Sequence, residues 1–219
     1  GARMLLRDPR TEMAFLEVAR GGILRRGIPL DSVDAALITN VASDHLGQYG
    51  INLVEELAET KFVVAKGLDA QGTLVLNADN ELVIEQGLKL NQKICWYSTD
   101  ESNPLIQSQL KTGGAAVFLR DKQFVYAEGN KEENIASLEE VPMTLNGAAQ
   151  HNVQNALGVV GLSKALNLPT SAIRAGLMDF GSNAEDNPGR GNIYDINGIK
   201  VLVDFAHNEH SMRAVVKTI

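Results

Sequence analysis

Apolar residues in this chain come in short runs that lack strict alternation. MAFLEVA, DAALITN, GTLVLNAD, KICWYST, GAAVFLRD, QFVYAE and KVLVDFA are β-rich, and several end in a polar residue. The absence of strict alternation in runs such as FLEVA and AALIT is expected of strands covered on both faces, as in a parallel sheet. Between some of them lie helical patterns, LVEELAETKFVVAKGL and HNVQNALGVVGLSKAL. The alternation predicts an α/β fold, a mostly parallel sheet with flanking helices. From Gly113 to Leu145 the strands follow one another with no helix between, which predicts an antiparallel extension. The cluster GSNAEDNPGR, Gly181 to Arg190, is the best domain boundary, and we divide the chain into residues 1–186 and 187–219. The second stretch is too short for an independent domain and is expected to be the start of a second α/β domain.

Charge and composition narrow the partners. With 27 acidic and 20 basic residues the net charge is -7, so the basic footprint of a nucleic-acid binder is absent. The one cysteine, Cys95, lies in the apolar KICWYS run and reads as a buried core thiol, as suits a reducing compartment. No apolar stretch approaches a membrane span and the first residues lack a signal-peptide pattern, so the expected location is the cytoplasm, with no membrane partner.

Three groups fall where predicted strands end, the place where doubly wound sheets bind ligands. Glu17 ends MAFLE, Asp44 and His45 follow ITN, and Asp204 and His207 follow KVLV. Each alone is more often a turn or helix cap. Their repetition favours a site. On a helical wheel Lys61 lies between Leu57, Val64 and Leu68, inside the apolar stripe, whereas Lys66 points away beside Glu55 and Glu59. Either the Lys61 stem packs while its ammonium reaches water, or burial lowers its pKa so that the neutral amine takes up CO2 and offers a carbamate oxygen to a metal. In AAQHNVQNALG, His151, Asn152 and Asn155 share one side of a helix start. They either cap the helix or present amides able to match an adenine edge. Arg190, in NPGR, is either a surface arginine or a hinge guanidinium placed to grip phosphate oxygens.

Taken together, LRDPRTEMAFLEVARGGILRRG, ITNVASDHLGQYG, LVLNADN, HNVQNALG, NPGRGN and VLVDFAHN resemble the Mur ligase family in order and spacing, over most of the chain. The ARGGILR segment points to the cyanophycin synthetase branch over the wall-peptide ligases, which usually carry serines there. The resemblance implies an incomplete Mur central domain and the beginning of its C-terminal domain. It also implies an ATP-dependent ligase, in which a substrate carboxylate is phosphorylated and an amine attacks the acyl phosphate, with ATP and Mg2+ bound. In the cyanophycin branch the amine is that of arginine and the carboxylate an aspartate side chain; more broadly the partners are amino acids or peptides. By resemblance Glu17 and His45 are magnesium contacts, and Lys61 is the carbamylated lysine. Asn152 and Asn155 are adenine contacts, Arg190 is the phosphate-binding hinge arginine, and Asp204, His207 and Asn208 are nucleotide and closure residues.

Two departures matter. The family's Gly-rich phosphate loop ends in GKT or GKS, and neither occurs here, so the chain is expected to start downstream of that loop. A strand and helix of the family's sheet would then also be missing, leaving apolar surface and a tendency to form homo-oligomers. After AHN the family commonly has proline, where this chain has Glu209. The competing reading is a non-catalytic module that keeps the scaffold for nucleotide binding or assembly.

Overall fold

The computed structural model describes residues 2–28, 30–181 and 183–218. Its elements, in chain order, are α1 (Ala2–Leu5), α2 (Arg20–Arg26), β1 (Val33–Ile38), α3 (Val54–Phe62), β2 (Leu68–Asn77), α4 (Glu81–Gly87), β3 (Lys93–Ser98), α5 (Pro104–Lys111), β4 (Ala115–Arg120), β5 (Gln123–Glu128), β6 (Lys131–Ser137), α6 (Gln150–Ala165), α7 (Thr170–Asp179), β7 (Asn192–Ile196), β8 (Ile199–Val203) and α8 (Glu209–Val216). The first six strands form one sheet in sequential order. Pairing is parallel from β1 to β4 and antiparallel from β4 to β6, so the helix-free stretch does build the expected antiparallel extension.

The sheet is covered on both faces because its central strands are apolar on both. In β2, Leu74 and Leu76 pack with Leu57, Phe62, Val83, Trp96 and Ile106, the layer made with α3, α4 and α5. Val75, between them in sequence, points the other way and packs with Cys95, Tyr97, Val153, Leu157 and Val160, the layer made with α6 and α7. That is the period of two expected of a strand, with apolar residues on both faces. Local chemistry sets several helix starts. The Asn80 side chain accepts from the Val83 amide at 3.1 Å to cap α4, and Asn103 caps α5 just ahead of Pro104. Glu56 reaches back to the amides of Asn52 and Leu53 at 2.7 and 3.0 Å, fixing the entry to α3.

Two expected strands behave otherwise. MAFLEVA forms no strand: residues 12–19 have no regular secondary structure, and Met13, Phe15 and Val18 are exposed. A strand is stable only where a neighbour satisfies its amides and carbonyls, and residues 13–19 are not hydrogen-bonded to the open edge of β1, which pairs with β2 alone. KVLVDFA does give β8, yet it pairs with β7 in a separate two-stranded hairpin. The link is Asn197-Gly198, both at positive φ (53° and 83°), the combination a tight hairpin turn requires. No helix among the described residues is long and apolar enough to cross a membrane.

Candidate functional site

The loop after β1 is held by side chains at the ends of the next two strands. Asn77, 1% exposed, donates Nδ2 to the Thr39 carbonyl at 2.9 Å, and the Tyr97 hydroxyl donates to the same oxygen at 3.0 Å. Asn80 donates Nδ2 to the Val41 carbonyl at 3.0 Å. Burying these donors without a partner would cost about 1–3 kcal/mol each, so they fix the loop in one position. Asn40 and Asp44 on that loop form one wall of a cleft of about 440 Å3. The first turn of α6 forms a second wall, and the segments around Arg190 and after β8 form a third. The location, beyond the carboxyl ends of parallel strands, is where the sequence placed a site.

Lys61, on the last turn of α3, lines the cleft half-buried and donates Nζ to the Asn40 carbonyl at 2.9 Å. Burial holds its pKa below the usual lysine value; Asp44 opposes that shift and Arg20 adds to it. Asn152 and Asn155 also line the cleft, and neither caps α6. Asn152 spends its Nδ2 on the Met143 carbonyl at 2.8 Å, leaving its oxygen only a long 3.4 Å contact from Asn155. Arg190 lies over the Phe205 ring at 5.2 Å, and with Asn152 it also borders an adjoining cavity of about 220 Å3 beside Phe180 and Ile193. Asp204 faces the cleft and accepts from the Ala206 amide at 2.8 Å. Asn208, which lines the cleft, makes two contacts. Its Oδ1 caps α8 by accepting from the Ser211 amide at 2.9 Å, and its Nδ2 donates to Asp44 Oδ1 at 3.1 Å.

That last contact ties the end of the chain to the loop after β1 and gathers three donor groups. The ligating atoms of Asp44, His45 and His207 lie within 4.8 Å of one another. His45 is held by its backbone: its φ is 50°, and its carbonyl accepts from Arg20 at 2.8 Å, while the same guanidinium donates to Gln48 Oε1 at 3.2 Å. Glu17 is not brought here; it is exposed on the irregular segment and does not line the cleft. The cleft thus gathers Lys61, Asn152, Asn155, Arg190, Asp204, His207 and Asn208, with His45 next to Asp44 at its border.

Three residues that the sequence left unassigned also belong to this region. Asp44 was singled out with His45 at the end of a predicted strand but given no role of its own. Arg20 acts through a main-chain carbonyl, a contact that residue spacing does not announce. His151 lines the cleft with its Nδ1 buried and without a hydrogen-bond partner among the described residues. Burial depresses its pKa, with Asp204 opposing and His210 reinforcing the shift.

Residues 2–163 match the family described as "Mur ligase middle domain". The chain is 37% identical over 214 residues to the cyanophycin synthetase of Synechocystis sp., covering 98% of this chain and 24% of that protein. It is 28% identical over 184 residues to the UDP-N-acetylmuramate--L-alanine ligase of Clostridium beijerinckii, covering 83% of this chain and 36% of the relative. In fold it is similar to the crystal structure of MurF from Acinetobacter baumannii, with a TM-score of 0.58 at 19% identity, over 84% of this chain and 37% of that one. The chain therefore spans a quarter to somewhat over a third of the length of these proteins.

Proposed function

The chain belongs to the Mur ligase family, and from that premise we propose that its parent protein is an ATP-dependent carbon–nitrogen ligase of the cyanophycin synthetase branch. In this reading residues 1–186 belong to the central ATPase domain and residues 187–219 open the C-terminal domain. The observation that carries the proposal is convergence. Lys61, the Asn152–Asn155 pair, Arg190 and the Asp204–Asn208 segment come from distant parts of the sequence and line one cleft.

The chemistry proceeds in two displacements. A carboxylate oxygen of the acidic substrate attacks the γ-phosphorus of ATP and ADP leaves, giving an acyl phosphate. The amine of the second substrate then attacks the acyl carbon, the tetrahedral adduct expels phosphate, and the amine loses a proton. Positioning and charge neutralisation carry most of such a reaction. Asn152 Oδ1 and the Asn155 amide are the groups for the adenine edge, and Arg190 is the guanidinium for phosphate oxygens. His207, whose Nδ1 lies 3.1 Å from the Phe205 carbonyl, is left with Nε2 to take the proton released by the amine.

Magnesium fits the donor set through oxygen. The Asp44 carboxylate supplies it, with His45 alongside, and Lys61 as a carbamate would add another oxygen. When bound, the ion offsets the charge of the phosphates. Glu17 joins this set only when residues 12–19 are drawn to the cleft. The decisive assay is ADP release by the full-length parent supplied with ATP, an aspartate-bearing peptide and arginine. ADP release that requires the amine, and that falls by orders of magnitude in Lys61→Ala, supports the reading. No ADP release with any amino acid or dipeptide would leave a nucleotide-binding or assembly module.

A further inference from the structure

We propose that the arginine face of α2, Arg25 and Arg26 beside Tyr49, binds the carboxylates of an acidic peptide whose reacting carboxyl group lies in the cleft. Only the placing of that reacting group rests on the ligase reading. Residues 1–26 hold six arginines against three carboxylates, a local excess of positive charge in a chain whose net charge is -7. Every cation in the first 60 residues is an arginine, and the first lysine is Lys61. A planar guanidinium grips a carboxylate through two parallel hydrogen bonds, which the point charge of an ammonium does not.

Contacts that dock α2 leave its last turn free. Arg20 donates to the His45 carbonyl at 2.8 Å and to Gln48 Oε1 at 3.2 Å, and Ile23 is buried, so the helix is held against the loop after β1. Arg25 and Arg26 are exposed, and no carboxylate among the described residues pairs with either. The Arg25 guanidinium is already oriented: its Nε donates to the Gly21 carbonyl at 2.9 Å, and its carbon stands 5.7 Å from the centre of the Tyr49 ring. Tyr49 is exposed at a φ of 57°, and the Gly47 amide donates to the Ile51 carbonyl at 2.7 Å, closing the turn that presents the ring. An exposed aromatic residue held in that left-handed conformation points to function, because packing does not require it there.

The place of this face selects its ligand. Neither arginine lines the cleft, whereas Asn152, Asn155 and Arg190, the groups for the nucleotide, stand on the walls away from the loop after β1. Yet α2 is close enough that the charge of Arg20 acts on Lys61. A ligand that extends from Lys61 onto α2 has to be a chain, and its anchor points on the arginines have to be anionic. The step from Arg20 to Arg26 is about 9 Å along the helix, roughly three residues of extended peptide. A peptide with carboxylates on successive residues meets both requirements, and a single amino acid does not.

The test is fluorescence anisotropy of a labelled hexa-aspartate peptide titrated with the 219-residue chain at low ionic strength. Binding is expected, weakened roughly tenfold when Arg25→Gln and Arg26→Gln are combined, and lost as salt screens the charges. Hexa-asparagine should not bind, and Arg174→Gln, which removes an exposed arginine of α7, should bind hexa-aspartate as the unaltered chain does. If the glutamine pair proves misfolded by circular dichroism, the two single variants replace it. In the full-length parent the pair should raise KM for an aspartate-bearing peptide by a similar factor and leave KM for ATP unmoved. Equal affinity of the pair and the unaltered chain for hexa-aspartate overturns the proposal, as does equal binding of hexa-asparagine, an unmoved peptide KM or a raised KM for ATP. A parent that makes no amide would end the ligase reading alone, since the anisotropy needs no turnover.

Discussion

Gly161→Ala and Gly176→Ala are the same substitution in two helices, and the structure predicts opposite outcomes. At Gly161 in α6 an added Cβ would lie 2.7 Å from Val75 Cγ1, 3.5 Å from Val117 Cγ2 and 3.7 Å from Cys95 Sγ. Carbon atoms rest at about 3.5–4.0 Å, so the first contact is too close by about an ångström. Val75 cannot give way: it is 0% exposed, sits on a strand paired on both sides and has a stiff, branched side chain. Relieving such an overlap by shifting α6 costs about 1–3 kcal/mol, against a gain of about 1 kcal/mol in helix propensity. The net effect is about 0–2 kcal/mol of destabilisation. At Gly176 in α7 nothing lies within 4 Å, so only the propensity gain remains. The gap between the variants is therefore the overlap alone, about 1–3 kcal/mol, or roughly 2–12 °C in melting temperature for a chain of this length. Thermal denaturation of the two purified variants reads it directly. Equal melting temperatures would refute the claim that α6 is seated on β2 through its glycine, and with it the placement of His151, Asn152 and Asn155 that α6 provides.

Burial pushes the Cys95 thiol up to about 12, so iodoacetamide at about pH 8 should label it only as fast as the protein opens. Labelling at the rate of a free thiol would contradict its place in the core. Burial lowers the pKa of His151, so its folded pKa lies below that of the unfolded chain. As pH falls through about 6.5 the unfolded chain takes up a proton first, and the stability that His151 contributes is lost on the way to its folded pKa. Urea midpoints for the unaltered chain and His151→Leu should therefore converge or cross between about pH 7.5 and about pH 5, and a pH-independent difference would count against the burial. The chain contains no GKT or GKS loop, and the neutral hydrogen bonds that Asn152 and Asn155 would offer a nucleotide are worth only about 0.5–1.5 kcal/mol each. Calorimetry with Mg-ATP is expected to show no more than weak binding, and micromolar affinity would show that the phosphate site does not need those donors.

The layered fold was legible because β2 and β3 carry apolar residues on both faces; the helix starts at Asn80 and Asn103 were not read from the sequence, because the short helices they cap carry no long apolar stripe. Lys61 was legible too: an amine inside an apolar stripe has to be half-buried. MAFLEVA misled because apolar composition reports only that a strand could be buried, whereas pairing depends on which neighbour is present; beside the lone pairing of β1 the segment stays irregular. The strand-end positions of Asp44 and His207 suggested a shared site, but that their ligating atoms come within 4.8 Å of each other and of His45 was not readable. That closeness depends on the positive φ of His45 and on Asn208 reaching across 164 residues of sequence to Asp44, and neither leaves a periodic signal.

If the cleft serves an amide-bond ligase working through an acyl phosphate, one oxygen of the substrate carboxylate must leave with the phosphate. The full-length parent would be given ATP, arginine and an aspartate-bearing peptide whose carboxylates carry oxygen-18, and the released phosphate would be examined by mass spectrometry. Amide product is expected together with phosphate that carries one labelled oxygen per turnover, with both signals lost in Lys61→Ala. Amide formed with unlabelled phosphate would contradict the acyl phosphate, and ATP hydrolysis without amide would contradict the ligase.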